Sequence, residues 1–205
     1  MIERIENALQ IAVLLACVSV SLYRAAAGRS RMWTLLSFFY GSWVLGDIYW
    51  LACLIFFDQT PQISVVSDLS WYASYIFLYM LLRHAAPPET AGRKRVLPWT
   101  GVLFAVGMAA FFMQWGKIVS NLIYASLMAL LLYSVISRFQ DRKKYTAQQP
   151  LCIAVLVFCL LEYAMWTSSC FFWSEGPENP YYWFDFLLTV SMPFFLPAVR
   201  KAVAA

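Results

Sequence analysis

The chain has 205 residues, 62% of them hydrophobic and only 13% charged, with a formal net charge of +4. Soluble domains carry about 45–50% apolar and about 25% charged residues, so this balance excludes an ordinary soluble domain and points to a polytopic membrane protein. No nucleic-acid-binding motif occurs, so the positive charge is read from where it sits and implies no nucleic-acid partner.

A membrane-spanning helix takes about 17–25 mostly apolar residues. Seven runs qualify: 5–23, 32–57, 65–82, 98–115, 118–139, 150–173 and 181–199. The opening, MIERIENALQ, sets Glu3 and Glu6 against Arg4, whereas a signal peptide opens with net positive charge; the first run is expected to be retained. The interruptions are polar and mostly carry Pro or Gly, as in RAAAGRSR, DQTPQIS and SEGPENP. Pro98 and Pro150 fall at helix starts, where a missing N–H is tolerated. Alternating short strands are absent, which excludes a β-barrel. The expected fold is all-α, one seven-helix membrane domain over residues 1–205.

Basic residues give the expected orientation. Arg24, Arg29 and Arg31 lie between runs one and two; Arg83, Arg93, Lys94 and Arg95 between three and four; Arg138, Arg142, Lys143 and Lys144 between five and six; Arg200 and Lys201 follow run seven. Of 15 Lys and Arg residues, only Arg4 and Lys117 remain for the opposite side. By the positive-inside rule the N-terminus lies outside and the C-terminus is cytoplasmic. Cys17, Cys53, Cys152, Cys159 and Cys170 sit in apolar runs without CxxC spacing, and the one histidine, His84, is in a basic loop. These are read as free thiols, with a Cys53–Cys170 disulfide the lesser alternative; no metal site and no cofactor are expected.

Runs one to three match runs five to seven. Arg24 pairs with Arg138, Asp47 with Glu162, Trp50 with Trp166, Pro61 with Pro177, Asp68 with Asp185 and Arg83 with Arg200, at offsets of 114 to 117 positions. The expected plan is a parallel 3+1+3 repeat, with halves over 5–83 and 118–200 and a connector helix over 98–115. Such repeats place a site between the halves near the membrane midplane.

Asp47 is the only charge between Met32 and Phe57, in WVLGDIYW. A charge at a helix centre costs roughly 2.5–3.5 kcal/mol on insertion scales, so it is expected to face the interior and find a partner or a ligand. Glu162 lies at similar depth, and no basic residue lies deep in any run. The two carboxyls are therefore expected to carry protons or to meet a cation from outside. Asp68 and Asp185 open their helices, where capping and the helix dipole favour an anion; they also stand at the outer mouth of the same site. Helical spacing puts Trp43 and Trp50 on the face of Asp47, Trp166 on that of Glu162, and Trp71 and Tyr72, then Tyr75, on that of Asp68. Aromatic faces beside carboxylates hold organic cations. Trp and Tyr also form interfacial belts; Trp173, Tyr181, Tyr182 and Trp183 are read that way, while Trp43, Trp50 and Trp166 serve packing or cavity lining. Pro193 and Pro197 are expected to kink run seven and free carbonyls.

The segment 45–82, through Gly46, Asp47, Trp50, Pro61, Asp68 and Tyr72, resembles the membrane-embedded input region of bacterial diguanylate cyclases and related sensors. That resemblance implies a sensor in a bacterial inner membrane, expected either to use a separate cytoplasmic signalling partner or to be a detached input module. The 3+1+3 plan is similar to that of the SWEET and PQ-loop transporters in architecture only: the Pro61–Gln62 pair lies in a loop, and runs one, two, five and six lack a mid-helix proline. Run seven has no lysine for a retinal Schiff base, and SWVLGD matches the Ser-x-x-Gly-Asp-like stretch of lysoplasmalogenases imperfectly. The expected function is a sensor or receptor module binding a small molecule through Asp47, Glu162, Asp68, Asp185, Trp43, Trp50, Trp166, Tyr72 and Tyr75. A proton-coupled transporter is the alternative, and an intramembrane hydrolase the lesser one.

Overall fold

The computed structural model describes residues 2–61, 64–86, 96–140, 144–174 and 176–204. Gln62, Arg93, Lys94, Arg95, Arg142 and Lys143 lie outside the described residues. The rest is all-helical, with no strand among the described residues: α1 Ile2–Gly28, α2 Arg31–Phe56, α3 Val65–Ala85, α4 Pro98–Phe112, α5 Ile118–Gln140, α6 Gln149–Phe171, α7 Pro180–Ser191, a 3₁₀ turn Met192–Phe194, and α8 Phe195–Val203. A long apolar run in lipid must satisfy its backbone internally, which a helix does. Six helices are long and apolar enough to cross a membrane, counting Pro180–Val203 as one.

The connector departs from expectation. It ends at Phe112 after 15 residues, a length of about 22 Å at 1.5 Å per residue, against a hydrocarbon core of about 30 Å. Local chemistry explains the early stop. Asn121 donates through Nδ2 to the carbonyls of Phe112 (2.6 Å) and Trp115 (2.8 Å), satisfying groups that a helix end leaves open. Gly116 then takes φ +72°, which glycine adopts without steric cost.

The helices form a closed ring in the order α1, α2, α3, α5, α6, α7 and back to α1, with α4 packed outside against α5. Burial runs opposite to that of a soluble protein. Leu45, Phe56, Leu103, Val119 and Phe194 are exposed, whereas Glu6, Asn7, Gln10, Asp47, Glu162, Asp185 and Thr189 are buried. Apolar residues outward and polar residues inward is the arrangement a bilayer demands, and the chain is a helical membrane protein.

Two ends can be told apart. At one, Arg4 pairs with Asp58 and Lys117 Nζ donates to Ser64 Oγ at 3.1 Å. At the other, buried Arg138 donates from Nε to the Ala86 carbonyl at 2.9 Å and from Nη1 to that of Ser134 at 2.6 Å, closing the end of α3. That basic end is sealed by packed rings. Phe39 meets Phe195 at 5.4 Å and Phe158 at 5.8 Å between centroids, and Trp43 meets Phe158 at 5.3 Å. Run seven breaks at Pro193, where α7 yields to the 3₁₀ turn Met192–Phe194, while Pro197 stays inside α8; Tyr40 Oη donates to the Met192 carbonyl at 2.7 Å. All five cysteines are buried and free, so Cys53 and Cys170 are not joined.

Gly101 sets how closely α4 approaches α5. A Cβ there would lie 2.8 Å from Ile136 Cδ1 and 2.9 Å from Leu132 Cβ. Gly101→Val is expected to lower the melting temperature in detergent, at a cost of about 1–3 kcal/mol for overpacking. Thermal unfolding of the two proteins side by side checks this.

Candidate functional site

A cavity of about 500 Å³ lies inside the ring. It runs from Trp43 and Tyr75, just above the sealing rings, to Ser64 and Gly116 at the turns of the opposite end. Asp47 from α2, Glu162 from α6 and Asp185 from α7 border it, with Asp68 of α3 near the turns. Trp43, Trp50, Tyr75 and Trp166 are also in its wall. Of the residues singled out by sequence, Tyr72 alone is not: its ring packs against Tyr124, with centroids 4.7 Å apart.

The two central acids are each only 1% exposed. Both take a hydrogen bond from α3. Trp71 Nε1 donates to Asp47 Oδ1 at 3.1 Å, and Tyr75 Oη donates to Glu162 Oε2 at 2.7 Å. Trp71 and Tyr75 are one turn apart, so a single face of α3 serves both acids, one from α2 and one from α6. The other oxygens, Asp47 Oδ2 and Glu162 Oε1, are buried without a partner. The one ion pair among the described residues is Arg4–Asp58, at the surface. Among the described residues no side-chain cation therefore neutralises either central acid.

Gly46 explains the Gly-Asp pair. A Cβ on it would stand 2.6 Å from Trp71 Nε1. Its bare backbone is what lets the indole reach Asp47.

The outer acids depart from the capping expected of them. Asn179 caps α7, accepting from the Tyr181 backbone N–H at 3.0 Å. Asp185 lies further in, where Gln10 Nε2 donates to its Oδ1 at 3.0 Å and to Thr189 Oγ1 at 3.1 Å. Glu6, buried on the same helix as Gln10, accepts from Asn7 Nδ2 at 3.2 Å through Oε2, and its Oε1 is buried without a partner. Asp68 accepts from Ser64 Oγ at 3.0 Å, and Lys117 holds that serine in turn.

Sequence reasoning passed over Asn7 and Gln10 as cavity-wall residues, and Glu6 beside them. The signal was present: Glu3, Glu6, Asn7 and Gln10 repeat at three- and four-residue spacing, a polar stripe on α1. Trp50 Nε1 donates to Glu3 Oε1 at 2.9 Å at the end of this stripe. Tyr181, expected in an interfacial belt, lies in the cavity wall, whereas Trp173 and Trp183 are exposed. Among the described residues no group of three or more His, Cys, Asp or Glu is arranged to hold a metal ion.

Comparison with family models, curated proteins and solved structures finds no match. The functional reading is accordingly built from the site's own chemistry.

The indole contact yields a test by double-mutant cycle. Gly46→Ala is expected to destabilise the protein by about 1–3 kcal/mol, the cost of leaving a buried acceptor unpaired. In a Trp71→Phe background the same change is expected to cost far less, because the clashing and donating Nε1 is gone. Unfolding measured for both singles and the double gives the coupling.

Proposed function

We propose that this chain is a seven-span membrane module of sensor or receptor type that binds a small organic cation in the acidic, aromatic cavity between two repeat halves. The observation that carries the reading is the burial of Asp47 and Glu162, each with an unpartnered oxygen and neither with a cation, beside one cavity. An uncompensated charge in a bilayer is costly and marks a ligand or ion pathway. An organic cation supplies the missing charge, and Trp43, Trp50, Trp166 and Tyr75 supply ring faces for it.

The ring of helix contacts supports the repeat. Exchanging α1, α2 and α3 for α5, α6 and α7 turns each neighbouring pair of the ring into another neighbouring pair. The connector is then the seventh and shortest span, tucked outside the ring. In this reading the N-terminus lies outside, the cavity opens to the exterior, and the basic end faces the cytoplasm of a bacterial cell. The cytoplasmic end is where a separate signalling partner reads a change in packing between the halves. Sealing of that end by Phe39, Phe158 and Phe195 supports binding over passage.

A proton-coupled transporter is the second reading, favoured by one feature. The break in the seventh span, at Met192–Phe194, sits directly beside the seal and is fastened to it through Tyr40.

Thermal unfolding of the purified protein against a panel of organic cations is the experiment. At least one cation is expected to raise the melting temperature of the wild type and to leave Asp47→Asn unmoved. At a hundredfold excess over Kd the stabilisation is about 2.7 kcal/mol. A panel that stabilises neither protein, or both equally, contradicts the proposal. Flux of the stabilising compound in liposomes selects the transporter; stabilisation without flux selects the sensor.

A further inference from the structure

A second cavity, of about 420 Å³, lies between α4, α5 and α6. Its walls are chiefly the rings of Phe112, Trp115, Tyr124, Tyr163 and Trp166, with the small side chains of Ala109 and Ala125 between them. No charged residue lines it. Asn121, its most polar neighbour, is already committed to the Phe112 and Trp115 carbonyls.

The two cavities are neighbours. They share Gly116, Tyr124, Trp166 and Ser169. Tyr124 and Trp166 stand as a ring pair, with centroids 4.9 Å apart, in the wall common to both. One compartment offers carboxyl groups and the other offers ring faces and apolar surface. The short helix α4 covers the second: Phe112 packs edge-on to Trp166 with centroids 6.1 Å apart, and Phe104 edge-on to Tyr163 at 5.2 Å.

We infer that the ligand is an amphipathic organic cation, its ammonium group held between Asp47 and Glu162 and its apolar arm lodged in the aromatic chamber under α4. This rests on the cation-binding reading above and narrows its ligand class. Charge complementarity fixes the head. The shared lining fixes where the arm goes: it reaches the chamber past the Tyr124–Trp166 ring pair, the wall the two cavities have in common. The connector helix thereby acquires a role in binding, as the outer wall of the chamber.

Burying an apolar arm gains affinity in proportion to its length, by about threefold to fourfold per methylene at full burial. The probes are n-alkyltrimethylammonium ions, from tetramethylammonium to the octyl homologue, titrated into the full purified chain. The variants are Ala125→Phe and, as a second filling of the same chamber should the first fail to fold, Ala109→Phe. Wild-type affinity is expected to climb by about threefold per methylene until the chamber is full. The filled variant is expected to bind tetramethylammonium as the wild type does and to show a flat series. A flat series in the wild type overturns the inference; it is also what a bilayer acyl chain permanently occupying the chamber would give. An equally steep series in the filled variant overturns it too, since the arm would then lie elsewhere. Failure of the wild type to bind any member, tetramethylammonium included, overturns the cation reading itself, so the two failures are distinct.

Discussion

A carboxyl group inside a lipid-embedded bundle must be neutralised by a proton, a side-chain cation or a bound ligand. Among the described residues Asp47 and Glu162 meet no side-chain cation, and each has one hydrogen-bond donor for two oxygens. The surroundings follow from that constraint. Gly46 clears space for the indole of Trp71, α3 spends one helix face on both acids, and the aromatic seal keeps the basic end of the bundle away from them. A structural protein could replace both acids with leucines and gain stability. Their retention at such depth is what gives the cavity its functional meaning.

Under the proposed repeat the two halves are unlike in their chemistry. In the register of the proposed repeat, Trp71 and Tyr75 of α3 correspond to Leu188 of α7 and Met192 of the 3₁₀ turn, which donate no side-chain hydrogen bond. The first half therefore supplies both donors to the central acids. The second half, with α1, supplies Asp185, Glu6, Gln10 and Thr189, a separate polar cluster where the ends of the ring meet. Gln10 donates to both Asp185 and Thr189 there, and those bonds join α1 to α7.

Much of this was legible in the sequence because a membrane penalises polar residues so heavily. Asp47 and Glu162 stood out as single charges in apolar runs, and helical spacing then found Trp43, Trp50 and Trp166 beside them. The helix limits agreed within a few residues wherever Pro or Gly punctuated the chain. What escaped was what depends on tertiary approach. Glu6 entered only as a charge of the opening segment and Gln10 was passed over, because nothing local says that α1 brings them toward α7. Tyr124 lies in a run with no charge to draw attention, and the chamber it borders exists only once α4 docks on α5. Tyr72 failed for the converse reason: its spacing from Asp68 was right, but its ring turned to Tyr124. The connector was read too long because the Asn121 contacts that end it cross nine residues of sequence.

The most direct test of the central claim is the stability of the ligand-free protein with the central acids made neutral. Equilibrium unfolding in detergent would compare the wild type with Asp47→Asn, Glu162→Gln and the double variant, with no added ligand. If the acids are kept for binding, the neutral amides fold as well as the wild type or better, since each removes an uncompensated group of nearly the same shape. If instead each amide costs about 3–5 kcal/mol, as breaking a buried charged pair does, the carboxyls hold the fold together and the cavity is not explained by a ligand.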